Sequence, residues 1–277
     1  MQPSELLNLD PYPLLAEPGE THPQLATWRR ALASDLYCVI PNFVTDQALH
    51  AMVDEAQSLE SSSHHNNAWR NCYLHRELDP ALPDEHPRNL QDRSSVHMIS
   101  YAQLAENSVL KQFYQSPGVR TLVESIVNQG ELFPNEDPYQ PANYVCYRPG
   151  DESAWHFDED NSFTMTLMLQ PAQMGGVFEM APHTRSQDDQ NYAQVRQVLT
   201  GEQVDGVVRL DLQPGDLCLF KGTHSLHRVT RVEGEQTRIM GVFVYEFRPG
   251  VVGDPRVNAT IYGVPDYGVT DYGKPDR

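Results

Sequence analysis

The chain has no run approaching the roughly 20 consecutive apolar residues that a membrane span requires, so no membrane partner is expected. Its opening stretch, MQPSELLNLDPYPLLAEPGE, carries no basic segment and no unbroken apolar run, and does not read as a secretory leader. Basic residues are scarce: 20 Lys and Arg stand against 38 Asp and Glu, a formal net charge of −18. Binding to a phosphate backbone needs clustered cations, so a nucleic-acid partner is not expected. The acidic balance favours a solvated surface and attraction of cationic molecules. Cysteine is sparse too. Cys38, Cys72, Cys146 and Cys218 are far apart and form no C-x-x-C pair. Cys146 and Cys218 sit in apolar strand-like runs and read as buried small hydrophobes. A reducing cytoplasm is the simplest setting for such a set. There is no internal repeat and no heptad seam.

What remains is ordinary globular material. The chain has 277 residues, 39% hydrophobic and 21% charged, enough for one large domain with a sizeable core. Residues 1–23 are rich in proline and acids and are expected to lie on the surface. Residues 24–34 look helical, and 37–44 (YCVIPNFV) read as a short buried strand interrupted by Pro41. Thr45 is a candidate N-cap for a helix that places Leu49, Met52, Val53 and Ala56 on one face. Residues 60–92 are polar and proline-rich and read as a long loop, with His64 and His65 solvated within it. A strand is expected over 96–101 and a second helical region over 108–128.

From Asn143 the texture changes. Eight short β-rich runs follow one another: NYVCY, SAWHFD, FTMTLML, GGVFEMA, VVRLDL, DLCLF, SLHRVTRV and TRIMGVFVYEF. Gly150, Gly175-Gly176 and Pro214-Gly215 punctuate them. Eight short antiparallel strands suit a double-sheet jelly roll of the cupin kind. The expected fold is therefore mainly β with N-terminal helices. It is a single domain: an elaboration over 1–139, the β core over 140–248 and a tail over 249–277.

Trp155-His156-Phe157-Asp158 holds the chemistry. On a strand, side chains alternate faces, so His156 and Asp158 point one way and Trp155 and Phe157 the other. A third ligand must come from a distant strand. In GTHSLHRVTRV, His227 starts an alternation with Val229 that leads into the last strands. His224, three residues earlier, is its rival; His227 is preferred because its strand continues unbroken. Two histidines and a carboxylate make the facial triad of non-haem iron(II) oxygenases, which leaves positions open for other ligands. A zinc hydrolase fits less well, since no general base is evident nearby. Arg238, on the following strand, suits a carboxylate partner because its planar fork binds one bidentately.

Taken together, NYVCYRPGDESAWHFDED, GGVFEM, LQPGDLCLFKGTHSLHRVTRV and the arginine of TRIMGVFVYEF resemble the 2-oxoglutarate and iron(II)-dependent dioxygenase superfamily, most closely its prolyl-hydroxylase-like branch. The resemblance covers about residues 140–248 and extends weakly upstream. It implies a double-stranded β-helix with iron at one mouth. Iron(II), 2-oxoglutarate and dioxygen are the cofactors and co-substrates it implies, with ascorbate as a reductant. His156, Asp158 and His227 match the iron ligands, and Arg238 the 2-oxoglutarate anchor. Tyr147 matches a position that often hydrogen-bonds the co-substrate. Asn143 and Tyr144 are weaker candidates, and Thr164 and Thr166 offer a hydroxyl to the far carboxylate. Related halogenases carry a small residue where Asp158 stands, so halogenation is disfavoured. Hydroxylation of an unactivated C–H bond, coupled to conversion of 2-oxoglutarate to succinate, is the expected reaction.

The substrate is less legible. Arg70, Arg93 and Arg185 are candidate clamps for a substrate carboxylate, and Trp155 a candidate wall of the pocket. Such a pocket suits a small polar metabolite such as an amino acid or a derivative. A peptidyl or protein hydroxylase is the alternative; a catalytically silent cupin-like binding module is the third. The tail from residue 251, with Tyr262, Tyr267 and Tyr272, either covers the barrel mouth or packs on the partner subunit of a homodimer.

Overall fold

Two antiparallel sheets lie face to face in the computed structural model, which describes residues 3–9, 12, 23–158 and 163–264. The chain opens with α1 (Pro3–Leu6), α2 (Pro23–Ser34), β1 (Tyr37–Ile40) and α3 (Asp46–Leu59). A long hairpin follows, β2 (His64–Asn71) and β3 (Gln91–Ile99), then α4 (Val109–Gln115), α5 (Pro117–Val127) and β4 (Phe133–Pro134). The β-rich part comprises β5 (Ala142–Tyr147), β6 (Ser153–His156), β7 (Thr164–Gln170), β8 (Met174–Gly175) and β9 (Phe178–Ala181). After α6 (Tyr192–Leu199) come β10 (Val208–Leu210), β11 (Leu217–Phe220), β12 (Leu226–Val229), β13 (Val232–Glu233), β14 (Arg238–Phe243), β15 (Tyr245–Glu246) and α7 (Pro255–Tyr262). The major sheet runs β1-β11-β7-β14-β5-β3-β2 and the minor one β10-β9-β12-β6. This is the jelly-roll architecture, and three strands from before residue 140 widen its major sheet.

Alternation sorts the side chains into layers. Tyr144, Cys146, Met165, Leu167, Leu217, Leu219, Ile239 and Phe243 face outward from the major sheet and join one apolar cluster. Helices α2 to α5 close over them through Leu25, Trp28, Met52, Ala56, Phe113, Leu122 and Ile126. Each large side chain buried in this way contributes about 1.5–3 kcal/mol. The alternate residues, Val145, Tyr147, Met168, Cys218 and Phe220, face inward and meet Phe178, Met180 and Val229 of the minor sheet. The outer side of the minor sheet is covered by α6, whose Val195 and Val198 pack with Trp155, Phe157 and Leu226. All four cysteines are buried and free.

Local sequence sets the helix ends. The Thr45 hydroxyl accepts the backbone N–H of Ala48 at 3.2 Å and caps α3. The helical region expected over 108–128 is two helices, because Pro117 pushes Ser116 out of the α region (φ −63°, ψ 120°) and then starts α5 from its first position. Left-handed Asn128 ends α5.

One expectation differs from the structure. The stretch 60–92 is not a plain loop: its first part is β2, and His64 and His65 lie on that strand. The hairpin also does more than extend one sheet. His97, Met98 and Ile99 of β3 pair with β5, whereas Ser95 bridges to Glu152 and Ser94 Oγ accepts from Ala154 N at 3.0 Å, beside β6. The hairpin thus curls from the major sheet towards the minor one. Helix α7 packs on β2 and β3, and the Tyr262 hydroxyl is hydrogen-bonded to the Asn143 side chain on the inner face of β5. Tyr267, Tyr272 and most of residues 1–23 lie outside the described residues. Among the described residues, no helix is long and apolar enough to cross a membrane.

Candidate metal centre

β6 and β12 are neighbours in the minor sheet, and His156 and His227 are Cα partners across them. Both rings therefore face the barrel interior, their centroids 4.2 Å apart. Each Nδ1 sits against the carbonyl two residues back: His156 on Ala154 at 2.8 Å, His227 on Ser225 at 3.0 Å. A carbonyl only accepts, so each Nδ1 carries the proton and each Nε2 is left as a lone-pair donor. Asp158 lies just beyond the end of β6, where its N–H donates to the Gly222 carbonyl at 3.2 Å. Its Oδ1 lies 3.3 Å from His227 Nε2. Ligand atoms of His156, Asp158 and His227 all fall within 4.8 Å of one another. The rival His224 is not part of this group.

Two neighbours complete the centre, and neither has a sequence signature. The Thr164 hydroxyl donates to Asp158 Oδ2, fixing the carboxylate from β7; its place beside the metal ligands differs from the expected role near the far carboxylate. Gly222 supplies space: a Cβ there would stand 1.9 Å from Asp158 Oδ2 and 2.9 Å from His227 Cε1.

Burial pushes His156 down to about 3, assisted by the positive charges of His227 and Arg70. Burial alone would push His227 down and Asp158 up. Their mutual attraction outweighs it, so His227 is raised above its usual 6.5 and Asp158 is held well below the carboxylate range. The Asp158 carboxylate favours a proton on His227 Nε2, and metal binding there displaces it. A cation of charge two replaces it naturally, and two imidazoles with one carboxylate suit iron(II).

Deeper in the barrel, Arg238 is completely buried. Its Nε, Nη1 and Nη2 have no hydrogen-bond partner among the described residues. Burial lowers its pKa to about 10, so it remains charged near neutrality. The guanidinium carbon lies 5.5 Å from the ring of Tyr147, its Cα partner on β5. Its stem packs on Gly176, where a Cβ would approach Arg238 Cδ to 3.0 Å. A buried, unpaired cation is strongly unfavourable, so such a site calls for an anion of matching geometry. The carboxylate of a 2-oxo acid fits it. Tyr147, with its hydroxyl beside Ser153, and Thr166 line the same interior. Asn143, also inward, donates from Nδ2 to Gln140 O at 2.8 Å and keeps a buried Oδ1 with no partner among the described residues.

The four substrate candidates separate. Arg70, inward on β2, lies near enough for its charge to act on Tyr147, His156 and His227. Arg93 is on the other face, its Nε donating to Asn67 Oδ1 at 3.1 Å. Trp155 also faces away from the metal ligands, beneath the Arg228 guanidinium at 4.6 Å; strand alternation dictates this. Arg185 lies over Phe157 at 4.0 Å and donates to Thr223 O at 2.5 Å and Asp158 O at 3.4 Å. It ties together the backbone segments leading to the metal ligands.

Residues 21–251 match the family described as Halogenase D. No curated protein sequence matches the chain. Among solved structures, the non-haem α-ketoglutarate-dependent epimerase SnoN from nogalamycin biosynthesis aligns with TM-score 0.56 and 14% identity, over 88% of this chain and 96% of that one. A 2OG-Fe(II) oxygenase family oxidoreductase from Burkholderia pseudomallei aligns with TM-score 0.51 and 13% identity, over 82% and 92%. HygX from Streptomyces hygroscopicus, solved with nickel, 2-oxoglutarate and hygromycin B, aligns with TM-score 0.53 and 12% identity, over 81% and 88%. The shared feature is the fold.

Proposed function

Because the chain belongs to the Halogenase D family yet holds a carboxylate between its two histidines, we propose that it is an iron(II)- and 2-oxoglutarate-dependent oxygenase that hydroxylates and does not halogenate. The observation that carries this reading is the buried Arg238 guanidinium, with no partner among the described residues, in the same barrel as the His156, Asp158 and His227 group. Iron(II), when bound with 2-oxoglutarate and dioxygen, supplies the oxidising chemistry: the co-substrate is converted to succinate and carbon dioxide, and a substrate C–H bond gains an oxygen atom.

The protein's part is positioning and exclusion. His156 and His227 present Nε2 because their Nδ1 protons are committed to backbone carbonyls. Thr164 holds Asp158, whose carboxylate would serve as a metal ligand and leave no place for a halide. Arg238 receives the far carboxylate of 2-oxoglutarate, with Tyr147, Thr166 and Asn143 as polar neighbours. Phe178 and Phe220 pack on the His227 ring and keep water from that side. Of the four substrate candidates, Arg70 has the placement to receive a carboxylate beside the metal. It supports a small polar substrate, such as an amino acid or a derivative. Arg93 and Trp155 have no part in this reading, and Arg185 acts as a positioning residue.

The test is succinate release by the purified protein with iron(II), ascorbate and 2-oxoglutarate, against free amino acids and then short peptides, in chloride buffer. Stimulation by one amino acid, with a product carrying one added oxygen and no chlorine isotope pattern, is expected. A chlorinated product would overturn the hydroxylase reading, and stimulation by peptides alone would overturn the substrate class.

A further inference from the structure

A second set of ligand-type side chains sits on the other face of the β2–β3 hairpin. His65 and His97 are Cα partners across it, and their imidazoles stack with centroids 4.2 Å and planes 4° apart. Both rings direct Nε2 at the carboxylate of Asp151, in the turn between β5 and β6. His65 Nε2 lies 4.0 Å from Oδ1 and His97 Nε2 3.7 Å from Oδ2. These distances are too long for hydrogen bonds. They are the span of two metal–ligand bonds of about 2.0–2.2 Å meeting at an open angle. We infer that His65, His97 and Asp151 form a second metal site, separate from the barrel centre and suited to a borderline cation such as zinc(II).

The surroundings hold the donors in place. Asp151 is buried; Arg148 N donates to its Oδ2 at 2.8 Å and the Ser95 hydroxyl to its Oδ1. His97 Nδ1 meets Ser63 Oγ at 3.2 Å, the outer contact that commonly orients a ligating imidazole. Burial, with the nearby charge of Arg148, lowers the pKa of His97 and favours its neutral, ligating form. The Arg148 guanidinium is itself engaged by Glu60 at 2.7 Å. His65 is exposed, so the remaining coordination positions open to water. A Ser–His–Asp nucleophile does not fit the same atoms. Ser95 donates its one proton to Asp151, so no base acts on its oxygen; a cation at the site would displace the proton that His65 Nε2 shares with Ser95 Oγ at 2.8 Å. With imidazole and carboxylate donors and no thiolate, the set favours zinc, nickel or cobalt over soft cations.

The experiment is equilibrium dialysis of the untagged, chelator-stripped full chain against zinc(II), with bound metal counted per chain. Two equivalents are expected for the wild type, and one for His156→Ala/His227→Ala, which keeps the hairpin site. Because His97 is buried, the exposed His65→Ala variant carries the main test, with its folding checked by circular dichroism. It is expected to bind the second equivalent ~10-fold or more weakly, to lose the matching part of the cobalt(II) absorption spectrum, and to release succinate with iron(II) as the wild type does. A single equivalent in the wild type, or undiminished binding in folded His65→Ala, would overturn the site.

Discussion

A methyl group at position 222 would stand 1.9 Å from one carboxylate oxygen of Asp158. Gly222→Ala is therefore expected to remove high-affinity metal binding while leaving the fold near wild type by circular dichroism; metal analysis after iron(II) reconstitution checks this. Arg238 offers the opposite kind of test, because its buried guanidinium has no hydrogen-bond partner among the described residues. Arg238→Met is expected to leave the free protein as stable or to stabilise it by about 1–4 kcal/mol. The thermal upshift that 2-oxoglutarate gives the metal-loaded wild type should vanish; melting curves with and without the co-substrate read both effects. The third residue-scale prediction concerns protons. Metal must displace the proton on His227, so affinity should rise with pH until the raised His227 pKa is passed, with one proton released per ion. In the metal-free protein, the stability contributed by His227 is full below its unfolded value of 6.5 and is lost as pH rises through the higher folded value. That contributed by His156, whose folded pKa falls to about 3, is present above 6.5 and lost as pH falls toward 3. These two groups together give maximal metal-free stability near pH 6.5, and iron should flatten the alkaline arm; denaturant titrations across pH, with and without metal, check it.

At the scale of elements, legibility followed polarity. The H-x-D pair showed itself because β alternation puts His156 on the barrel face, although Asp158 lies just past the end of β6 and is placed by its backbone bond to Gly222. The Thr45 cap and α3 were readable because their signals are local. Thr45→Ala should cost about 1 kcal/mol, a few degrees in melting temperature. β2 escaped notice for a physical reason. Its inward positions, Asn66 and Arg70, face a polar interior, so HHNNAWRN lacks the apolar alternation that marks a half-buried strand. Trp155 lies next to a ligand in sequence, yet strand alternation turns its side chain, like that of Arg93, away from the barrel interior. Thr164 and Gly222 were illegible because their roles arise from contacts with Asp158 across strands, and a single sequence carries no mark of those.

For the whole molecule, the order of strands has a consequence for how the chain is made. β14 lies in the middle of the major sheet, between β7 and β5, yet it is among the last segments synthesised. Until residues 238–243 leave the ribosome, β5 and β7 each present an unpaired edge, the kind of surface on which nascent chains aggregate. The strand that seals the gap begins with Arg238. Completion of the sheet and arrival of the arginine proposed to anchor 2-oxoglutarate are thus a single event. A nascent chain stalled before this strand would hold His156, Asp158 and His227 and lack that arginine.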